Sequence, residues 1–460
     1  MVDFNDTIVA LATPPGRSGI GVIRLSGAAS LRALQRLVAC DDFQPEPNVL
    51  TLRNLIQPAT GVTLDQALVC YFKSPHSFTG EDVVELHCHG SPVLLRAIID
   101  AVLALGARMA SPGEFSLRAV ANGRMKLSEA EAIRDLINAQ TDAAMRQAAR
   151  QMKGAISHAL QPLKDELLRI IVRLESSLEF VEDDLPQLEQ QQLLNDVRSV
   201  RDSFERLAST FARGRLLRDG LRVTLVGPPN AGKSSLFNRL LGASRAIVHE
   251  VAGTTRDAIT ESLGLDGVPI LITDTAGLRV STDQVEAIGV DRTRREAADS
   301  DLLIVVIDGS QPLTPEDRNT LVEAADHRYV IALNKSDLKT FSATRLEEET
   351  TSGLNGSPIV SVSAKTGAGL ESLRSAVLQP FTDSDVSGES LMITNARHHD
   401  LLVRAIEAIS VSETLLQEQA SEELTLVGLH DALRYLGQIS GETTSEELLG
   451  EIFSTFCIGK

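Results

Sequence analysis

The sequence predicts a multidomain α/β protein, and three observations carry that prediction. A chain of 460 residues exceeds what one hydrophobic core holds, so two or three domains are expected. Short apolar strands that end in Gly-, Asp- or Asn-containing loops recur between residues 220 and 380. Helical periodicity dominates on both sides of that segment, whereas residues 1–121 mix β-like runs with helix.

Within 1–121, Thr7–Ala10, Gly19–Leu25, Leu68–Phe72 and Val83–Cys88 read as strands, and Leu94–Leu105 as a helix. Pro14-Pro15-Gly16 and Ser111-Pro112-Gly113 read as turns, which makes this an α+β domain. From 122 to 219 the pattern changes to long helices. Ser128-x-x-Glu131 has the spacing of a capping box. Leu167, Leu168, Ile171, Leu174, Leu178 and Val181 recur at helical intervals, the stripe of a core or a dimer contact. Helix resumes over 381–460 with Leu401, Leu402, Ala405, Ile406 and Ile409, then Leu433, Leu436, Leu448, Leu449 and Ile452. The two stretches are expected to form one helical domain with the α/β unit of 220–380 inserted.

The inserted unit carries the chemistry. Strand Val223–Val226 runs into G-x-x-x-x-G-K-S, Gly227 to Ser234, and then into helix, the strand–loop–helix context of a phosphate-binding loop. Its N–H groups (Asn230, Ala231, Gly232, Lys233, Ser234, Ser235) and the helix N-terminus favour phosphate. Lys233 is expected to reach the β and γ phosphates and Ser234 to hold Mg²⁺. Gly253-Thr254-Thr255-Arg256-Asp257 is a candidate first switch. Asp274-Thr275-Ala276-Gly277 follows strand Ile270–Ile272 and offers a carboxylate to the Mg²⁺ shell and an N–H to the γ-phosphate. Asn334-Lys335-Ser336-Asp337 follows strand Val330–Leu333; Asp337 can accept from both guanine donors, which adenine lacks. Ser363-Ala364-Lys365 follows strand Ile359–Val362 and can close over the base. In this order the motifs specify GTP and a Ras-like P-loop GTPase domain with a mostly parallel sheet.

Many GTPases place a water-orienting Gln after Asp-x-x-Gly. Here Leu278 occupies that position, so another polar group is required, and Glu286 and Asp283 are the nearby carboxylates. The charge of the transition state must also be neutralised, by Arg256, by Arg279 or by a monovalent cation beside Asn230.

Composition excludes several classes. A net charge of −18 argues against independent tight binding to nucleic acid. Cys40, Cys70, Cys88 and Cys457 lack paired spacing, so neither a disulfide frame nor a zinc ribbon is implied. In His87-Cys88-His89, strand alternation sends the thiol to the face opposite both imidazoles. No basic-then-apolar start and no span of about 20 apolar residues is present, so a cytoplasmic protein is expected, with no membrane contact.

The whole chain resembles the MnmE (TrmE) family of tRNA-modification GTPases. The resemblance rests on Asp6-Thr7-Ile8-Val9-Ala10 with Thr13-Pro14-Pro15-Gly16-Arg17, on Ser77-Phe78-Thr79-Gly80-Glu81-Asp82, on Ser111-Pro112-Gly113-Glu114-Phe115, on the inserted GTPase, and on the terminal Cys457-Ile458-Gly459-Lys460. It implies an N-terminal domain that dimerises and binds a 5-formyl- or 5,10-methylene-tetrahydrofolate through Arg24, Glu85, Arg124 and Lys460. Arg124 stands where the family usually has Lys. It further implies K⁺ held by Asn230, the His249 and Val251 backbone and Thr254, in the loop His249-Glu250-Val251-Ala252-Gly253. His249-Glu250 replaces the commoner Thr/Ser-Asp there, which carbonyl ligation tolerates. Mg²⁺ falls to Ser234 and Thr255, and Glu286 matches the family's water-orienting carboxylate. Cys457 looks catalytic from its placement. The implied partner is the flavin- and NADH-using MnmG, in a heterotetramer that installs an aminomethyl or carboxymethylaminomethyl group at carbon 5 of the wobble uridine, with tRNA held mainly by the partner. Two other readings compete: a GTP-gated scaffold of ribosome assembly, and a folate enzyme acting without GTP or partner.

Overall fold

The computed structural model describes residues 5–179, 187–243, 259–265, 267–274, 298–344, 356–382, 391–420 and 422–459. They pack as two compact units: Met1–Ile137 with Gln151–Val200 and Arg404–Lys460, and Asn138–Arg150 with Arg201–Val403.

The first unit is built on a six-stranded sheet in the order β3-β4-β5-β2-β1-β6. Its strands are β1 (Ile8–Leu11), β2 (Ser18–Ser26), β3 (Thr51–Ile56), β4 (Thr63–Phe72), β5 (Val83–Gly90) and β6 (Arg108–Met109). Strands β3 and β6 escape the sequence reading. The first alternates Leu with Arg and Asn and stays half exposed, and the second is two residues long. One face carries Ile23, Leu25, Val69, Val84, Leu86 and Cys88 against helices α1 (Ser30–Leu37) and α2 (Pro92–Ala104). Each such aliphatic side chain contributes about 1.5–3 kcal/mol on burial. The other face carries the cross-strand row Cys70, Glu85, Arg24, Ala10. Cys88 accordingly points into the core, its thiol pushed up to about 12 by burial and then by Asp65. His87 pairs with Glu85 at 3.3 Å and His89 with Asp65 at 2.7 Å.

Helices α3 (Glu114–Ala121) and α4 (Leu127–Asn138) follow. The capping box expected at Ser128 does not form. The helix starts at Leu127, whose burial against Phe453 and Phe456 sets the entry, and Ser128 lies inside the first turn with its hydroxyl buried. Glu129 instead accepts from the Lys126 N–H at 3.1 Å. In α6 (Ala155–Glu179), Leu167, Ile171 and Leu174 are buried as expected, but Leu168 is 43 % exposed, one residue off the stripe. Val181 lies outside the described residues.

The second unit holds a sheet in the order β12-β11-β10-β7-β9-β8. Strands β7 (Leu221–Val226), β9 (Val268–Asp274), β10 (Leu302–Asp308), β11 (Tyr329–Asn334) and β12 (Ile359–Ser361) run parallel; β8 (Ile259–Leu265) is antiparallel to β9. In β10, Ile304 and Val306 face one core while Leu303, Val305 and Ile307 face the other. Burial on both faces erases alternation and gives the continuous apolar run Leu302–Ile307. Helix α5 (Asp142–Met152) lies mostly in this unit: Gln147 Nε2 donates to Met392 O at 3.1 Å, and Thr141 just before it donates to Gly267 O at 2.8 Å.

Candidate functional site

Parallel strands β7, β9, β10 and β11 deliver their carboxyl ends to one edge of the sheet, where ligands of open α/β folds bind. The loop after β7 turns through Gly227 (φ +147°), Asn230 (φ +62°) and Gly232 (φ +98°). A Cβ on Gly227 would lie 2.3 Å from Val306 O, and one on Gly232 2.2 Å from Asn334 Nδ2, so only glycine fits this close approach. The helix Lys233–Ala243 opens at the loop, with Ser234 and Ser235 exposed in its first turn. Lys233 is buried; its ammonium donates to Gly227 O at 2.7 Å and Pro228 O at 2.8 Å, across the mouth of the loop. Asp274, the last residue of β9, pairs in register with Leu225 and is buried beside the loop entry.

The base-side segments converge on the same edge. Buried Asn334 donates to Ala231 O at 2.9 Å and accepts from the Ala364 N–H at 3.0 Å. Ser363 donates to Asp337 Oδ1 at 2.7 Å and accepts from the Thr366 N–H at 3.1 Å. That hydroxyl is the chief reason the Asp337 carboxyl sits below its ordinary range, with Lys365 adding to it. Asp337 itself is exposed, ready to accept. Lys335, at φ +66°, pairs with Asp308 at 2.6 Å. Burial pushes Asp308 up, but Lys335 and Ser310 outweigh it and hold the carboxyl below the usual range. The structural duty of Asn334 and the Asp308 partnership carry no sequence signal beyond the motif itself.

Thus Asn230–Ser235, Asp274, Asn334–Asp337 and Ser363–Lys365 share one edge. His249–Thr255, Thr275–Gly277 and Glu286, with Asp283, Arg256, Leu278 and Arg279, lie outside the described residues.

The first unit holds a second polar site. Arg24 Nε donates to Glu85 Oε1 at 2.9 Å, and Nη1 donates to Gly459 O at 3.2 Å. The guanidinium lies 5.6 Å from the Phe78 ring and 5.9 Å from the Phe115 ring. Arg124 Nε donates to Ser77 O at 3.1 Å, on the same 77–80 loop. Gly459, at φ +92°, is buried where a Cβ would meet Leu11 O at 2.6 Å, while Cys457 is exposed and its carbonyl accepts from the Gly113 N–H at 3.3 Å. Lys460 lies outside the described residues.

Beneath this pair is a network that sequence reasoning missed. Arg118 is fully buried and pairs with Asp6, with Glu114 at 2.9 Å and with Glu81 at 3.2 Å. Arg108 also clasps Glu114, at 2.6 Å, and Ser26 donates to Glu81 at 2.6 Å. The motifs at 6–10, 77–82 and 111–115 therefore meet on one guanidinium. The signal available was an acid in each of three distant motifs, Asp6, Glu81 and Glu114, with no assigned ligand.

Two family models match: the GTP-binding protein TrmE N-terminus over residues 7–124, and the MnmE helical domain over 127–457. The tRNA modification GTPase MnmE of Koribacter versatilis (strain Ellin345) is 41 % identical over 464 residues, covering 100 % of both chains. That of Aquifex aeolicus (strain VF5) is 40 % identical, over 99 % of this chain and 100 % of the relative. Among solved structures, the G domain of the T. maritima FeoB iron transporter is 28 % identical over 35 % of this chain and 97 % of that chain, with a TM-score of 0.27. With full-length identity to curated members and a P-loop GTPase cradle in place, the chain belongs to the MnmE family and is a GTP hydrolase.

Proposed function

We propose that this chain is a potassium-activated GTPase that, with the flavoprotein MnmG, adds an aminomethyl or carboxymethylaminomethyl group to carbon 5 of the wobble uridine of certain tRNAs, taking the carbon from a tetrahydrofolate derivative. The observation that carries the reading is the seating of Gly459, in the Cys-Ile-Gly-Lys motif, on the Arg24–Glu85 pair, through the 3.2 Å bond from Arg24 to Gly459 O. A half-buried ion pair bordered by two phenyl rings suits a pterin: Glu85 can accept from its ring N–H and amine, and Arg24 can donate to its oxygens. Arg124 and Lys460 complete the proposed folate contacts, and Cys457 is the proposed catalytic thiol. Bound tetrahydrofolate supplies the one-carbon unit.

In the GTPase unit Lys233 holds the β and γ phosphates, Asp337 reads guanine, and Glu286 orients water. Ser234 and Thr255 would hold Mg²⁺; Asn230, the His249 and Val251 backbone and Thr254 would hold K⁺, which supplies positive charge to the transition state. The proposed division is a folate domain over 1–121, a helical domain over 122–219 and 381–460, and a GTPase domain over 220–380. The outer face of the first sheet supports a homodimer: Ile20, Leu52 and Leu68 are 62, 52 and 40 % exposed there. A net charge of −18 supports tRNA held mainly by MnmG, in a heterotetramer. Among the described residues no helix is long and apolar enough to cross a membrane, and a cytoplasmic site of action is part of the proposal.

GTP hydrolysis measured across an alkali-cation series tests the cation assignment: K⁺ should exceed Na⁺ at least tenfold, and equal rates would refute it. Mass spectrometry of tRNA nucleosides from a strain lacking the gene tests the rest. Loss of the modified wobble uridine is expected; an unchanged nucleoside profile would leave the ribosome-assembly scaffold in its place.

A further inference from the structure

We infer that Asp308, which belongs to none of the sequence motifs, is a positioning residue for guanine recognition: it draws the Lys335 ammonium off Asp337 and so leaves that carboxylate open to the base. The inference rests on the proposed reading of guanine by Asp337.

The acid is fixed where it can do this. Asp308 closes β10 and pairs in register with Asn334, the last residue of β11. The Gly309 N–H donates to Asn334 O at 3.0 Å and the Ser342 N–H to Gly309 O at 3.1 Å, which laces the acid to both ends of the segment 334–342. A Cβ on Gly309 would lie 2.5 Å from the Phe341 ring, so this turn is close-packed. The two carboxylate oxygens are divided between partners. Oδ1 accepts from the Ser310 N–H at 3.0 Å and from its hydroxyl at 2.6 Å, and Oδ2 accepts from the Lys335 ammonium at 2.6 Å. The side chains are 18 % exposed for Asp308 and 31 % for Lys335, so salt screens the pair less than one at the open surface.

Lys335 and Asp337 share one turn, closed by the Leu338 N–H on Lys335 O at 3.0 Å. A flexible four-carbon stem puts an ammonium within reach of a carboxylate two residues on. Among the described residues, however, Lys335 makes no ion pair with Asp337. Its ammonium sits on Asp308, while Asp337 Oδ1 accepts from Ser363 at 2.7 Å. An ammonium on Asp337 would compete with the ring N–H and amine of guanine for the same lone pairs. Asp308 removes that competitor.

Displacement of a fluorescent GDP analogue from the full chain by GTP and by inosine triphosphate tests the inference, because inosine lacks the 2-amino donor. The wild-type chain should prefer GTP by about tenfold, the worth of one charge-assisted hydrogen bond. Asp308→Asn keeps an acceptor for Ser310 but turns an amide N–H towards Lys335, and the preference should fall by about threefold or more. Lys335→Met added to Asp308→Asn should restore most of what was lost, a recovery that damage to the loop would not give. An equal fall for both nucleotides in Asp308→Asn, or no recovery in the double variant, would overturn the inference. A preference that survives Asp308→Asn intact would remove the role of Asp308 alone, whereas equal wild-type affinities for the two nucleotides would remove base reading from Asp337 and this inference with it.

Discussion

The Asn334 side-chain amide donates to Ala231 O at 2.9 Å, joining the guanine-side motif to the phosphate loop. Its carbonyl oxygen accepts from the Ala364 N–H at 3.0 Å. One buried amide, donating on one side and accepting on the other, therefore ties the phosphate and base halves of the cradle together. The bond to Ala231 O is buried, so its loss is felt in full.

Asn334→Ala leaves Ala231 O and the Ala364 N–H without that partner, at a cost of about 1–3 kcal/mol each. Affinity for GTP and GDP should fall together, by roughly tenfold or more. Titration with fluorescent analogues of both nucleotides checks this; unchanged affinities would mean that the loops hold their positions without the clamp.

Asp337 is held ionised by Ser363, so it presents acceptors only. Asp337→Asn should weaken GTP and improve xanthosine triphosphate, whose 2-oxo group accepts from the new amide. Competition between the two nucleotides measures the exchange. Equal weakening of both would assign Asp337 to loop structure rather than base reading.

Gly459→Ala places a Cβ 2.6 Å from Leu11 O at a φ of +92°, which displaces the tail from Arg24. Binding of 5-formyltetrahydrofolate should fall at least tenfold while GTP affinity stays level. Calorimetry with each ligand separates the two; full folate affinity in the variant would remove the tail from the folate site.

Arg118→Met strands Asp6, Glu81 and Glu114 around a neutral side chain, a loss of about 3–5 kcal/mol at neutral pH. Burial alone raises Glu114, but hydrogen bonds from Arg108, the Ser111 N–H and Arg118 outweigh it and hold the group below its ordinary 4.5. Asp6 is likewise held below 3.8: burial raises it, and Arg118 and Arg108 outweigh that. Because both folded values are depressed, their contribution is complete above about pH 4.5 and is lost as pH falls through the folded values. The penalty of Arg118→Met should therefore stay level from pH 6 to about 4.5 and shrink as pH falls below that. Urea midpoints for both chains over that range decide it, and a pH-independent gap would mean that lost packing dominates.

The GTPase unit was legible from residue order because each motif ends an apolar strand, and parallel strands must deliver their ends to one edge. Period and punctuation placed β7, β9, β11 and β12 within a few residues. By themselves they did not reveal β10, whose burial on two faces removes alternation, or β3, which is half exposed. The sequence also determined that Gly459 and Arg24 belong to one family pattern, but not that they touch across 435 positions. Nor could it decide that Asp6, Glu81 and Glu114 close on Arg118, that Ser128 is buried rather than capping, or that α5 packs against the GTPase sheet. Local sequence specifies backbone preference and which side chains prefer burial. Which distant charge pairs with which, and which helix face finds a partner, is set by long-range packing, because those energies exist only once the separate segments have been brought together.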